Sequence, residues 1–188
     1  MILGIIVAVV IIIGLMFLSI YNKFVRLRND VEEAFATMDV YLKKRFDLLP
    51  NLVETVKGYA IHEKEVLENI VKARSAVSNA TDTEERVNGE NQISSTLKTL
   101  FAVAEAYPDL KANTNFQELM GQLQSIEADI ANSRKYYNAV VKKYNICVET
   151  FPSNIVANIF GFTKKPMFEV TDEAERQNVK VDFGSLSQ

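Results

Sequence analysis

The first 22 residues, MILGIIVAVVIIIGLMFLSIYN, carry no charged side chain. Between Ile2 and Tyr21 almost every residue is Ile, Val, Leu, Met, Phe or Ala, and no polar stripe interrupts the run. About 20 such residues in a helix rise about 30 Å, which matches the hydrocarbon thickness of a bilayer. A core helix of a small soluble protein would keep one polar face. We therefore predict a transmembrane anchor over residues 1–22, which contacts the lipid bilayer through residues 2–21.

A cleaved signal peptide is the main alternative, and the sequence disfavours it. Such peptides have a basic N-terminal region, an apolar run of about 7–15 residues and a small-residue cleavage site. This chain has no Lys or Arg before Lys23, and no A-x-A pattern follows the run. Lys23, Arg26 and Arg28 come directly after it. Because cytoplasmic flanks of membrane helices are rich in Lys and Arg, we predict an outside N-terminus and a cytoplasmic remainder.

The composition and the motifs exclude several function classes. A formal net charge of -3 and a pI near 5.3 disfavour a nucleic-acid partner, which would require a basic face. The string HEKEV lacks the second histidine of an H-E-x-x-H zinc motif, and His62 is the only histidine. Cys147 is the only cysteine, and we expect it to be a buried apolar residue. No nucleotide or hydrolase fingerprint occurs. We predict no catalytic, cofactor or metal residue, and no enzyme.

After the anchor, apolar residues spaced by three and four positions predict amphipathic helices. The longest stripe runs from Phe116 to Phe151. Pro50 ends or kinks the first helix, because proline disfavours helical geometry in the residue before it. The polar stretch 78–92 reads as a loop. We predict an all-α chain in which the anchor continues into an antiparallel, up-down-up-down four-helix bundle over 23–151. Its four helices are expected at about 23–49, 51–78, 92–107 and 115–151.

The segment after Phe151 should lie near the bilayer, because the fourth helix of such a path returns to it. Residues 152–162 are apolar, and two interpretations remain open: the segment rests on lipid headgroups, or it covers the open end of the bundle. The rest of 152–188 is a charged tail that is either disordered or adds a strand to a partner. The candidate membrane or partner contacts are Phe151, Ile155, Ile159, Phe160, Phe162, Lys164 and Lys165.

One charged residue falls on an apolar stripe. Glu63 lies between Tyr59 and Val66, where a carboxylate is costly unless it is paired or reaches water. We interpret it as one end of a salt bridge at the edge of the core or as a snorkelling side chain; a perturbed acid in a site is the less favoured alternative. Arg134, beside the stripe position Ser133, is the natural candidate partner for a buried carboxylate.

Two long blocks resemble the LemA family of bacterial membrane proteins. They are residues 21–74, from YNKFVRLRNDVEEAF to ENIVKAR, and residues 131–162, ANSRKYYNAVVKKYNICVETFPSNIVANIFGF, with FEV and VDFG beyond them. The resemblance implies one membrane helix with an outside N-terminus and a four-helix cytoplasmic domain. It implies no established enzymatic activity and supplies no catalytic or ligand residues. Related proteins include magnetosome components, and family genes often neighbour a membrane-bound metalloprotease, which is a partner by analogy only.

These observations favour a non-enzymatic scaffold or adaptor anchored in the bacterial cell (inner) membrane. It would bind a protein partner or copies of itself, because an anchor concentrates weak contacts at the membrane. The alternative is a membrane-organising or remodelling protein that acts by homo-oligomerisation. An enzyme subunit is a third, less favoured, hypothesis.

Overall fold

The computed structural model describes residues 1–60 and 62–168. Within those ranges no strand occurs, and the all-α prediction is confirmed for them. The tail predicted beyond residue 168 lies outside the described residues. Six helices follow in chain order: α1 (Ile2–Lys57), α2 (Lys64–Asn79), α3 (Thr83–Ala104), α4 (Pro108–Ala112), α5 (Thr114–Glu149) and α6 (Ser153–Phe160).

α1 is one unbroken helix of 56 residues, about 84 Å long at 1.5 Å per residue. Residues 1–16 are all exposed, and they are apolar all round. From Phe24 onward α1 buries one face, at spacings of three and four residues. Among the described residues, α1 is the one helix that is long and apolar enough to cross a membrane, and its apolar stretch is not buried. The apolar helix therefore continues directly into a packed, amphipathic one, as the sequence predicted.

The predicted boundary at Pro50 is wrong. α1 passes through Pro50 and ends at Lys57, so Leu52 and Val56 belong to α1 and not to the second helix. An internal proline costs about 3 kcal/mol or more through a lost hydrogen bond and a ring clash. Leu49, Leu52 and Val56 are fully buried. At about 1.5–3 kcal/mol for each buried side chain, their packing outweighs the cost of the proline.

The predicted loop at 78–92 is also wrong, because α3 begins at Thr83. A reciprocal cap starts the helix. The Glu85 backbone N–H donates to Asp82 Oδ1 at 2.8 Å, and Glu85 Oε2 accepts from the Thr81 backbone N–H at 2.9 Å. The first bond caps one of the N–H groups that a helix start leaves without partners, and the second fastens the residue before the cap to the first turn. The polar sequence TDTEER therefore begins a helix, and the helix expected at 92–107 starts nine residues earlier.

α5 runs antiparallel to α1 along most of its length. The ring of Phe24 lies against Tyr144, and the ring of Phe35 lies against Tyr137, with centroids 6.1 and 5.8 Å apart. As the residue number rises on α1 it falls on α5, which fixes the relative direction. The bounds of α5 differ by two residues or fewer from the predicted 115–151.

α2 and α3 form an antiparallel helical hairpin that packs against the far half of α1. Gly89 lies at the closest approach between the two helices. A Cβ added there would come within 2.8 Å of Val77 Cγ2 and 3.1 Å of the Val77 backbone nitrogen. Only glycine allows this separation of the two helix backbones.

The buried side chains form two cores, stacked along α1. The proximal core lies near the apolar stretch of α1, and the distal core lies near the C-terminal end of α1. Arg45 and Glu90 are buried between them. Large members of the proximal core are Phe24, Met38, Leu42, Tyr137, Tyr144 and Val156. Large members of the distal core are Leu49, Leu52, Ile70, Ile93, Leu97, Leu100, Phe116 and Leu123.

Candidate functional site

The short helix α6 has two apolar faces, of which the structure buries one. Val156 and Ala157 are fully buried against α1 and α5. On the other side Ile155, Ile159 and Phe160 are exposed by 41, 63 and 56%. Gly161 ends the helix in the left-handed conformation, with φ of +71°. Because Gly has no Cβ, it adopts this conformation without strain and lets the chain turn back along α5.

Aromatic contacts place α6 beside the end of the apolar stretch of α1. The rings of Tyr21 and Phe160 lie 4.8 Å apart. The rings of Phe24 and Phe162 are stacked, with centroids 4.7 Å apart and planes inclined by 12°. Tyr21 is the last residue of the predicted span. The chain therefore reaches the level of the span at α6 and leaves it again after Phe162.

Residues 163–168 form an extended strap that α5 holds through two asparagine side chains. Asn145 exchanges two hydrogen bonds of 2.9 Å with the backbone of Lys165. Asn138, seven residues earlier on α5, makes the same pair with the backbone of Phe168, at 2.8 and 2.9 Å. The Tyr137 hydroxyl donates to the Pro166 carbonyl at 3.0 Å. The strap thus satisfies its backbone groups on side chains, which is why an extended segment packs here without a sheet.

The structure places the seven predicted contact residues in different environments. Phe151 is 74% exposed, so it does not continue the buried stripe of α5 as the sequence suggested. Phe162 is half-buried on Phe24 and closes the proximal core. Lys164 is exposed and pairs with Glu149, whereas Lys165 is half-buried within the strap. Four of the seven are exposed in or directly before α6, and we call these four the apolar patch: Phe151, Ile155, Ile159 and Phe160.

A second notable cluster, the polar layer, separates the two cores. At its centre the fully buried Arg45 guanidinium donates to Glu90 Oε2 at 2.5 Å and to Glu127 Oε1 at 2.6 Å. It also donates to Ser94 Oγ at 2.6 Å and to the Glu90 carbonyl at 3.1 Å. Arg134 donates to the same Ser94 hydroxyl at 3.5 Å. The polar layer therefore joins α1, α3 and α5 through one guanidinium.

The charges of the polar layer balance one another, but burying them away from water costs free energy. Burial raises the pKa of the Glu90 carboxyl above its ordinary value of 4.5, and Arg45 opposes this shift. Burial also lowers the pKa of Arg134, and the charge of Arg45 acts in the same direction. Two guanidiniums and two carboxylates neutralise one another, and each carboxylate accepts at least one bond from Arg45. This pattern is typical of a structural ion cluster that selects one packing arrangement.

The sequence reasoning missed Arg45 and Glu90, although the spacing contained a signal. Arg45 lies between Leu42 and Leu49 at intervals of three and four, so it occupies an apolar-stripe position of α1. Glu90 lies three residues from both Val87 and Ile93, on the buried face of α3. Two opposite charges at stripe positions of different helices are the expected sign of a buried pair.

The hydrogen-bond partner of Glu63 is a hydroxyl and not the guanidinium of Arg134. Glu63 is half-buried, as its stripe position implied, but it accepts a hydrogen bond of 2.9 Å from the Tyr107 hydroxyl. This bond raises the pKa of Tyr107. Arg134, the candidate partner, lies in the polar layer instead.

The remaining reactive side chains lie apart from one another. His62 is exposed, whereas Cys147 is buried in the proximal core, as the sequence suggested. In the described parts of the chain, no group of three or more His, Cys, Asp or Glu is arranged to hold a metal ion. Within residues 1–60 and 62–168 the arrangement offers exposed surfaces and a polar layer that is buried between the two cores.

These features define a class of protein: an all-α chain whose apolar N-terminal helix runs directly into a packed helical domain. The model of the LemA family matches residues 34–183. The chain therefore belongs to the LemA family, and the resemblance seen in the sequence is confirmed.

The chain is similar to proteins from three bacteria. It is 28% identical to Protein LemA of Metamycoplasma hominis over 166 residues, which cover 88% of this chain and 74% of the relative. It is 24% identical to Magnetosome protein MamQ 2 of Paramagnetospirillum magneticum and 22% identical to Magnetosome protein MamQ of Magnetospirillum gryphiswaldense. Both matches cover 79% of this chain and 64% of the relative, so the chain spans less than two thirds of these MamQ proteins.

Proposed function

We propose that this LemA-family chain is a non-enzymatic scaffold, anchored in the bacterial inner membrane, that presents a helical domain to a protein partner. The continuity of α1 is the observation that carries the proposal. One helix contains both the apolar span and the buried face of the domain, with no hinge or linker between them. Residues 22–57 rise about 54 Å, so the distal core stands at a fixed height and orientation above the bilayer.

We infer further that α1, α2, α3 and α5 form one antiparallel four-helix bundle in the far half of the domain. The distal core supports this inference, because it draws side chains from all four helices. The polar layer supports it too, since Arg45 on α1 bonds to residues of both α3 and α5. A bundle of this kind resists bending and leaves the outer faces of its helices for binding.

Val71, which is 56% exposed on α2, offers a position from which to test the scaffold. A photoreactive residue there, in the full-length chain expressed in its own cells, should crosslink to a defined second protein. A membrane metalloprotease, suggested by family analogy, is one candidate for that protein. The matched control is a photoreactive residue at Val40, 54% exposed on α1. If Val71 captures no protein reproducibly, or only the proteins that the Val40 control also captures, the scaffold proposal is wrong.

A second candidate function is membrane organisation by lateral assembly of anchored copies. The similarity to two magnetosome proteins favours it, since their names associate them with a membrane-bound organelle. Light scattering of the full-length protein in detergent distinguishes the two functions. A scaffold should stay small until its partner is added, whereas an assembling protein should form large particles and deform liposomes. Turnover of a generic ester, peptide or nucleotide substrate, lost on changing one polar residue, would contradict both.

The proposed orientation places the domain in the cytoplasm, and the basic flank at Lys23, Arg26 and Arg28 supports it. Asn88 is exposed on α3, and Cys147 is the only cysteine. In a Cys147→Ser background, Asn88→Cys should resist a membrane-impermeant thiol reagent in intact cells and react after permeabilisation. Labelling in intact cells would reverse the proposed topology.

A further inference from the structure

The apolar patch on α6 needs a cover that the described residues do not supply. Its four side chains are large, apolar and 41–74% exposed, although α6 already buries its opposite face on α1 and α5. A surface helix in water normally carries polar residues on its outer face. Contiguous exposed apolar surface marks a contact with a membrane or with another protein.

The position of the apolar patch favours the membrane, rather than another protein, as its cover. Residues 1–16 of α1 are exposed and apolar, and Phe17 and Ile20 pack on the proximal core immediately below Tyr21. Phe160 contacts Tyr21 directly. The patch is therefore continuous with the lipid-facing surface of the span, and it lies where the helix leaves the hydrocarbon.

The charges around the patch fit a lipid surface. The sequence holds no acidic residue from Met1 to Asn29 or from Thr150 to Lys165. Lys23 and Arg26 are exposed at this end of the domain, as are Arg28, which pairs with Glu32, and Lys164, which pairs with Glu149. Aliphatic and aromatic residues beside Lys and Arg are the composition of helices that lie on anionic bilayers.

We infer that α6 is a second membrane contact, which lies in the headgroup region of the bilayer that residues 2–21 cross. Val156 and Ala157 fasten the helix to the domain, and Ile155, Ile159 and Phe160 insert into the lipid. Phe151 inserts beside them at the turn before α6. The two contacts together set the tilt of the domain. This inference rests on the proposed anchoring, because it requires the span to be in the bilayer.

The chain contains no tryptophan, so one introduced tryptophan reports on its own surroundings. We would reconstitute full-length Phe160→Trp in vesicles of phosphatidylcholine and phosphatidylglycerol that contain dibrominated phosphatidylcholine. The matched control is Tyr136→Trp, because Tyr136 on α5 is 57% exposed, whereas Phe160 is 56% exposed. Ile159→Trp is a second reporter that leaves the contact between Phe160 and Tyr21 in place.

Tryptophan at 159 or 160 should emit at shorter wavelength than the control and lose fluorescence to bromine. Such helices lie about 5–10 Å into the boundary between headgroups and acyl chains, so bromine near the headgroup should quench more than bromine at the chain end. If the protein floats with the vesicles but neither reporter is quenched more than the control, the inference is wrong and the anchoring stands. A blue shift without quenching shows that protein covers α6, and also overturns it. Failure to float with vesicles contradicts the anchoring itself.

Discussion

Replacing Arg45 with methionine tests whether the ion pairs of Arg45 hold the polar layer together. Arg45 is fully buried and donates to two carboxylates, a hydroxyl and a carbonyl. Methionine fills most of the volume but leaves Glu90, which is 1% exposed, without its cation. Breaking a buried pair from one side costs about 3–5 kcal/mol. Domains of this size have a free energy of unfolding of about 5–15 kcal/mol, so the loss is a large share of it.

The double variant Arg45→Met/Glu90→Leu should recover most of that loss. Replacing both members of a buried ion pair by apolar residues is often neutral or stabilising by about 1–4 kcal/mol. Glu127 keeps 28% of its side-chain surface exposed, so water and the nearby Arg134 compensate for the missing Arg45. The polar layer would then select one packing arrangement rather than add net stability.

Urea unfolding of the full-length protein in mild detergent, followed by far-ultraviolet circular dichroism, measures these changes. The matched control is Lys43→Met, two positions earlier on α1, where the cation is 73% exposed and pairs with Asp47. Pairs of this i,i+4 type contribute about 0.3–0.5 kcal/mol, so the control should scarcely move the midpoint. A loss below about 1 kcal/mol in Arg45→Met, or a double variant as unstable as the single one, would refute the reasoning.

Three further outcomes follow from the structure. Gly89→Ala should destabilise the α2–α3 hairpin by about 1–3 kcal/mol, because the added Cβ overpacks against Val77. Gly121→Ala has nothing within 4 Å of the added Cβ, so it should stabilise α5 by about 0.5–1 kcal/mol. Urea midpoints of the two variants decide this, and equal shifts would contradict it. Asn138→Ala should speed hydrogen exchange at the Phe168 amide, because the strap loses both of its hydrogen bonds there, and should leave the urea midpoint of the whole domain unchanged. Unchanged exchange would show that Asn138 does not hold the strap. In the variant without Arg45, the pKa of Glu90 should rise further, since burial already raises it above 4.5 and the largest opposing charge is gone, although Arg86 and Arg134 still oppose the shift. A raised pKa means that the folded state binds the proton more tightly than the unfolded state does. The stability deficit of the variant should therefore shrink as the pH falls from neutral towards 4.5. A deficit that grows as the pH falls would show that the pKa of Glu90 is not raised.

Much of the helical pattern follows from local periodicity. Within the helix predicted at 23–49, Phe24, Val31 and Met38 are buried at helical spacing. The stripe predicted to start at Phe116 is buried at seven positions and half-buried at Leu119, Ile126 and Ser133; the buried ones are Phe116, Leu123, Ile130, Tyr137, Val140, Tyr144 and Cys147. A period near 3.6 residues shows directly which side chains share a face, so no tertiary information is needed. The predicted helix boundaries failed at two places, for different reasons. At Pro50 the distal core outweighs the cost of the proline, and at Thr83 a polar cap starts a helix that hydropathy alone does not reveal.

The candidate site, too, could be predicted from the sequence only in part. The sequence showed that 151–165 is apolar and basic, but not that Phe162 turns inward while Phe160 turns outward. That division depends on which side of α6 meets α1 and α5.

By itself, the order of residues determined that this chain is helical, that its first 22 residues are uncharged and long enough to cross a bilayer, and that it belongs with LemA proteins. The helical pattern depends on neighbours within one or two turns, the membrane span depends on an uninterrupted apolar run, and the family depends on long blocks of sequence; none of them requires a contact between distant segments. Tertiary structure alone decided that Arg45 joins three helices and that α6 lies beside Tyr21. Both depend on contacts between segments far apart in the chain, whose energies appear only after the helices have packed.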